Sequence, residues 1–134
     1  MANIAVATAD RVEIVESIRQ MTLVAAEAIL AGAPVRIDTA GKFTNANGTT
    51  TTENRVWGIA TKTVAAGGAL TAIRNGVLDG FTFSQAYDAI IYLSDTDGRL
   101  GDTAGTVSTI IGRVIPATAT TLGTAYDKLL SVEL

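Results

Sequence analysis

The chain contains no cysteine and no histidine. The first absence removes disulfides, thiolate nucleophiles and cysteine-based zinc sites, and leaves the redox state of its compartment unmarked. The second removes the usual general base near neutral pH and the commonest metal ligand. Aromatic residues are few: Phe43, Trp57, Phe81, Phe83, Tyr87, Tyr92 and Tyr126. Charge is sparse as well, at 17% of residues, with a net charge of -3 and ten basic residues scattered singly. No basic cluster lies among aromatics, so direct binding of DNA or RNA is not expected. No apolar run approaches the roughly 18 residues that span a bilayer. The opening MANIAVATADRVEIVE has neither a basic start nor a long apolar centre. Neither a secretion signal nor a membrane anchor is therefore expected.

What is present is small and apolar. Hydrophobic residues make up 48% of the chain, mostly Ala, Val, Ile and Leu, and the mean hydropathy is +0.34. At 134 residues the chain is about one domain long. Abundant Thr and β-branched residues favour strands over helices. A surface this lightly charged is the mark of a protein that assembles.

Short β-rich runs recur along the chain: AGAPVRI, NRVWGIAT, ALTAIRNGVLDGF, DAIIYLS, TIIGRVI and DKLLSVEL, separated by Gly, Asn, Asp and Thr. That rhythm predicts an all-β sandwich or barrel. In VEIVESIRQMTLV at 12–24, Val12, Val15 and Ile18 fall at helical spacing behind Asp10, but Ile14, Met21 and Leu23 fall off that face. The segment reads as extended. AAEAILAG at 25–32 has room for one or two helical turns, and helix content is otherwise expected to be low.

A weak internal repeat organises the rest. In the first copy APVRI at 33–37 leads to Gly41-Lys42-Phe43 and then to Val56-Trp57-Gly58-Ile59-Ala60. In the second, AIIYL at 89–93 leads to Gly98-Arg99-Leu100 and then to Ile110-Ile111-Gly112-Arg113-Val114. Each copy runs on into a Gly- and Thr-rich bend, at 65–73 and from 120 onward, before another apolar strand. The expected organisation is an N-terminal arm, 1–20, and a single β domain, 21–134, built from units spanning about 26–73 and 83–132. Gly41 and Gly98 read as turn residues able to take positive φ; Gly58 and Gly112, inside strands, read as bulges or close backbone approaches. The insertion TNANGTTTTEN at 44–54 reads as an exposed hairpin around Asn47-Gly48.

The stretch YLSDTDGRL at 92–100 raises the one metal question. With Gly98 at the sixth position of an EF-hand-type loop, Asp95 and Asp97 occupy the third and fifth, but Leu93 and Ala104 fall where side-chain oxygens are required. The acids read instead as acceptors for turn amides, as in the related DTAGKF at 38–43. No metal site and no cofactor are expected. Glu13, Glu16, Glu27, Asp79 and Asp88 could be paired for glycosidase chemistry, but nothing sets two of them opposite each other. Lys42, Lys62 and Lys128 are the only bases left to activate a hydroxyl nucleophile, and neither an SxxK motif nor a G-x-S-x-G elbow occurs. The glycines of AAGGA at 65–69 lack the lysine of a phosphate loop and read as a turn. No catalytic residue is assigned and an enzyme is not expected. Trp57, which could stack on a sugar, reads more readily as a core anchor within VWGIA.

The succession AGAPVRI, VWGIATKTVAAGGALTAIRNGVLDGF and DAIIYLSDTDGRLGDTAGTVSTIIGRVIP resembles the head decoration, or cement, proteins of tailed bacteriophages. The likeness covers roughly residues 25–134. It implies a small β-barrel or β-tulip-like domain with an extended N-terminal arm, and self-association, most often as a homotrimer and sometimes as a dimer. It implies a non-enzymatic role on the outer surface of the expanded virion head, where the partner is the major capsid protein, after synthesis in the host cytoplasm. By the same analogy the arm lies along the capsid, with Ile4, Val6, Arg11, Val12 and Ile14 as expected contacts. A tail or baseplate component and a carbohydrate-binding module using Trp57 with Asp95 and Asp97 are the alternative expectations.

Overall fold

The computed structural model describes residues 2–117 and 128–134. Its strands are β1 (Ala5–Val6), β2 (Glu13–Val24), β3 (Pro34–Ile37), β4 (Phe43–Asn45), β5 (Gly58–Ala60), β6 (Ala69–Asp79), β7 (Phe81–Thr82), β8 (Ile90–Leu93), β9 (Leu100–Gly101), β10 (Ile110–Pro116) and β11 (Lys128–Glu133). No helix occurs among the described residues, and the chain forms an all-β domain with a strongly curled, half-barrel sheet.

Two groups of strands, called units below, are paired alike. In the first unit β3 is flanked by β4 and β5, and β5 pairs with β6. In the second, β8 is flanked by β9 and β10, and β10 pairs with β11. All these pairs are antiparallel, and the register matches: Val35 faces Gly58 as Ile91 faces Gly112. The units join where β11 pairs with β6 through Leu130↔Leu78 to Glu133↔Asn75. Strand β2 runs along the length of β6, from Glu13↔Asp79 to Val24↔Ala69. With one edge of β6 taken by β2, the other is shared in succession by β5 and β11. The bend of the second unit lies outside the described residues as far as residue 127.

Burial follows from this layout. Ile59, Ile73, Leu78, Ile91, Leu93, Ile111, Val114, Leu130 and Val132 meet in one core. Ala60 of β5 and Leu70 and Ala72 of β6, alternating with Ile59 and Ile73, belong to a second cluster together with Val35 of β3. That cluster is closed by Ala25, Ile29 and Ala33. This is why AAEAILAG, read as one or two helical turns, is not helical. Ala25 and Ile29 form isolated bridges to Phe43 and Val64, and an extended path lets them cover the sheet. Each fully buried Ile or Leu contributes about 1.5–3 kcal/mol of burial free energy.

Three expectations for glycines hold. Gly41 and Gly98 have φ of 78° and 66°, the register slips between Ile110 and Gly112, and Gly67 turns between Val64 and β6 with φ of 86°. The Asn47-Gly48 hairpin does not form. Ala46, Asn47 and Gly48 are buried, with the Gly48 amide donating to the Ser94 carbonyl at 2.8 Å and the Gly98 amide to the Ala46 carbonyl at 2.9 Å. These bonds tie the end of β4 to the β8–β9 turn, and only residues 49–52 are left exposed.

The stretch before β2, expected as part of an arm over 1–20, runs along the domain over residues 2–12. Strand β1 pairs with β7, Arg11 bridges Lys62, and the Ile4 amide donates to the Leu100 carbonyl at 2.9 Å. Ile4 and Val12, each 4% exposed, belong to the main core. The physical reason is that burying these two side chains in the main core removes apolar surface from water.

Candidate interaction surface

The largest unpartnered feature is β2. It is 12 residues long, and among the described residues it pairs with β6 alone. Ile18 is 73% exposed, Val15 57% and Ile14 47%. An edge strand of this length normally carries few exposed apolar groups, because its free N–H and C=O groups already invite pairing. The register against β6 slips between Ile14 and Glu16, Ser17 and Arg19, and Arg19 and Gln20. These irregularities let neighbouring apolar residues show on both faces.

A second exposed area continues from β2 across the sheet. One row runs Glu16, Val77, Ser131, Arg113 and Ile90, each paired with the next across neighbouring strands. The adjoining row, Gly76, Val132, Gly112 and Ile91, is buried. Arg113 stands between the half-buried Ser131 and the exposed Ile90 in this row. Its Nη1 donates to Asp88 Oδ1 at 2.7 Å and its Nε to Glu133 Oε2 at 3.1 Å. The Asp88 hydrogen bond, followed by the Glu133 charge, holds the guanidinium pKa above its ordinary value. Asp88 is itself set in a left-handed conformation, φ 67°, a region that Asp tolerates. The exposed Ile90 and Ile110 flank this triad and line an open groove of about 530 Å³. Such a permanent cation with two engaged acids can orient a partner; it offers no proton to transfer.

The acids of the β8–β9 turn are structural. Asp95 accepts from the Thr106 amide and the Thr106 hydroxyl, each at 2.8 Å, so it fastens the loop between β9 and β10. Those bonds, the amide first, depress its carboxyl pKa. Asp97 accepts from Asn47 Nδ2 at 3.1 Å. The donors are thus distant in sequence and not the amides of the turn itself, where Ser94 Oγ accepts from Thr96 N. In the first unit Asp38 fills that role, accepting from Ala40 and Lys42 amides. No group of three or more acidic or other metal-ligating side chains occurs among the described residues.

Glu27 likewise anchors a connection. It accepts from the Thr44 hydroxyl and the Asn45 amide, and these bonds, the Thr44 one foremost, lower its pKa against a partial desolvation cost. Trp57 is half-buried against the second cluster and not a fully buried anchor. Its ring lies 5.9 Å from Phe43, with the guanidinium carbons of Arg19 and Arg74 at 5.9 and 5.7 Å from its centroid.

Of the five residues expected to touch a capsid, Arg11 and Ile14 are exposed and Val6 is half-buried, while Ile4 and Val12 are core. Arg11 pairs with Glu13 at 3.6 Å. Val15, which lies within the stretch 2–15 expected to touch a capsid, is exposed, as are Ile18, Ile90, Ile110 and Arg113, which sequence reasoning did not select. Their signal was present only as apolar residues beside charges in EIVESIR, DAIIYLS and TIIGRV.

No protein-family model matches the chain, and comparison with curated proteins and with solved structures gave no match.

Proposed function

We propose that this chain is a structural, non-enzymatic component of a virion: a decoration protein that binds the outside of the expanded head of a tailed phage and stabilises contacts between major capsid subunits. The observation that carries the reading is β2, with exposed Ile14, Val15 and Ile18, one edge on β6 and, among the described residues, no strand on the other, continuous with the row that includes Arg113. Surface of this kind on a lightly charged domain is suited to burial against other protein chains. The sequence likeness set out above supplies the identity of the partner.

The mechanism is linkage. A protein that binds the mature lattice and not its disassembled subunits shifts the equilibrium toward the lattice in proportion to its saturation. If copies associate, several modest contacts act together and raise the effective affinity. Within the expected arm the proposed contact narrows to Arg11, Ile14, Val15 and Ile18, because Ile4 and Val12 are occupied in the core. Purified protein mixed with expanded capsids that lack it tests the proposal: co-sedimentation to a fixed saturation supports it, and failure to bind capsids from the phage that encodes it overturns it.

A further inference from the structure

We infer that β2 is a self-pairing edge: two copies of this chain join their β2 strands antiparallel, Glu16 of each opposite Arg19 of the other. The inference does not rest on the decoration reading; it seats Ile14 and Ile18, offered above to the capsid, against a second copy, and sedimentation of the free chain tests it without capsids.

Strand β2 has one edge on β6 and, among the described residues, no strand on the other. A strand so placed adds another strand by main-chain hydrogen bonds, and side-chain pairs choose the register. Antiparallel pairing of identical strands is two-fold, so every cross-strand contact occurs twice. The charges in EIVESIRQMTLV are Glu13, Glu16 and Arg19. Setting Glu13 opposite Glu16 juxtaposes like charges, as does setting Arg19 opposite itself; setting Glu16 opposite itself pairs Glu13 with Arg19 twice but leaves the two Glu16 side chains facing each other. The register with Glu16 opposite Arg19 makes two opposite-charge pairs and sets Glu13 against the uncharged Thr22. It also places Ile14 opposite Met21 and Ser17 opposite Ile18, giving the exposed Ile14 and Ile18 partners on the second copy. Glu16 and Arg19 are both exposed; Arg19 also lies over the half-buried Trp57 ring at 5.9 Å, so the far-UV spectrum of each variant is the control for the monomer fold.

The test is sedimentation equilibrium of the full chain over a concentration series. The expected species is a dimer of twice 13.8 kDa. Glu16→Arg and Arg19→Glu, each made alone, place like charges opposite each other and should weaken dimerisation by roughly ten- to a hundredfold. An equimolar mixture of the two variants restores both pairs and should form a heterodimer. The double variant Glu16→Arg/Arg19→Glu should recover the parent affinity. A monomeric or trimeric parent overturns the inference. So do single variants that dimerise like the parent, or a mixture that stays monomeric while its components retain the parent's far-UV spectrum.

Discussion

A Cβ placed on Gly112 would stand 1.8 Å from the carbonyl oxygen of Ser131. The equivalent pair in the first unit is Gly58 and Ile73, where the distance is 2.7 Å. Each glycine therefore lets β5 or β10 approach the strand that follows it, and the same device appears in both units. Gly112→Ala should destabilise the fold by about 1–3 kcal/mol, with Gly58→Ala costing less. Gly41→Ala meets no atom within 4 Å and is penalised only by its positive φ, at about 1–2 kcal/mol. Urea unfolding of the three variants checks the order; equal costs for Gly112 and Gly58 would contradict it.

Ile4→Ala should cost about 2–5 kcal/mol, because the side chain is packed in the main core. Ile14→Ala, on the exposed edge, should stay within about 0.5 kcal/mol of the parent. A free arm would make both substitutions neutral, so thermal or urea unfolding of the pair separates a docked N-terminus from a loose one.

Asp95 predicts a pH response confined to the β9–β10 loop. Its folded pKa is depressed by the Thr106 bonds, so their stabilisation is present above the unfolded carboxylate value of about 3.9 and is lost as pH falls through the folded value. Exchange of the Thr106 amide, followed downward in pH and corrected for intrinsic rate, should lose protection across that acid window. Asp95→Asn should show weakened protection already at neutral pH. A Thr106 amide equally protected in parent and variant would remove the anchoring role.

Trp57 is engaged by Phe43, Arg19 and Arg74. A panel of soluble sugars should therefore leave its fluorescence unchanged, whereas Arg19→Ala should shift it by removing a nearby cation. Saturable quenching by a sugar would revive the carbohydrate-binding alternative.

Much of the strand content was legible in the sequence because it depends on short-range pattern. AGAPVRI and DAIIYLS became β3 and β8, and the turns at Gly41 and Gly98 needed the conformation that glycine supplies most readily. Pairings across long sequence separations were not legible. EIVESIRQMTLV has no clean alternation, since β2 is exposed on both faces, and nothing local announces its match to β6. Asn47-Gly48 carries a hairpin signal, yet hydrogen bonds to Ser94 and Asp97 bury it. Asp95 finds its donor eleven residues along the chain. The row that includes Arg113 exists only once β2, β6, β11, β10 and β8 lie side by side.

The proposed decoration role is tested most directly by the copy number of this chain, relative to the major capsid protein, in purified phage particles from a lysate that expresses it. A head decoration protein should be present at hundreds of copies per particle, on the order of one for each capsid subunit or each site where subunits meet, in keeping with closed symmetric assembly. A handful of copies, or none, would contradict the account.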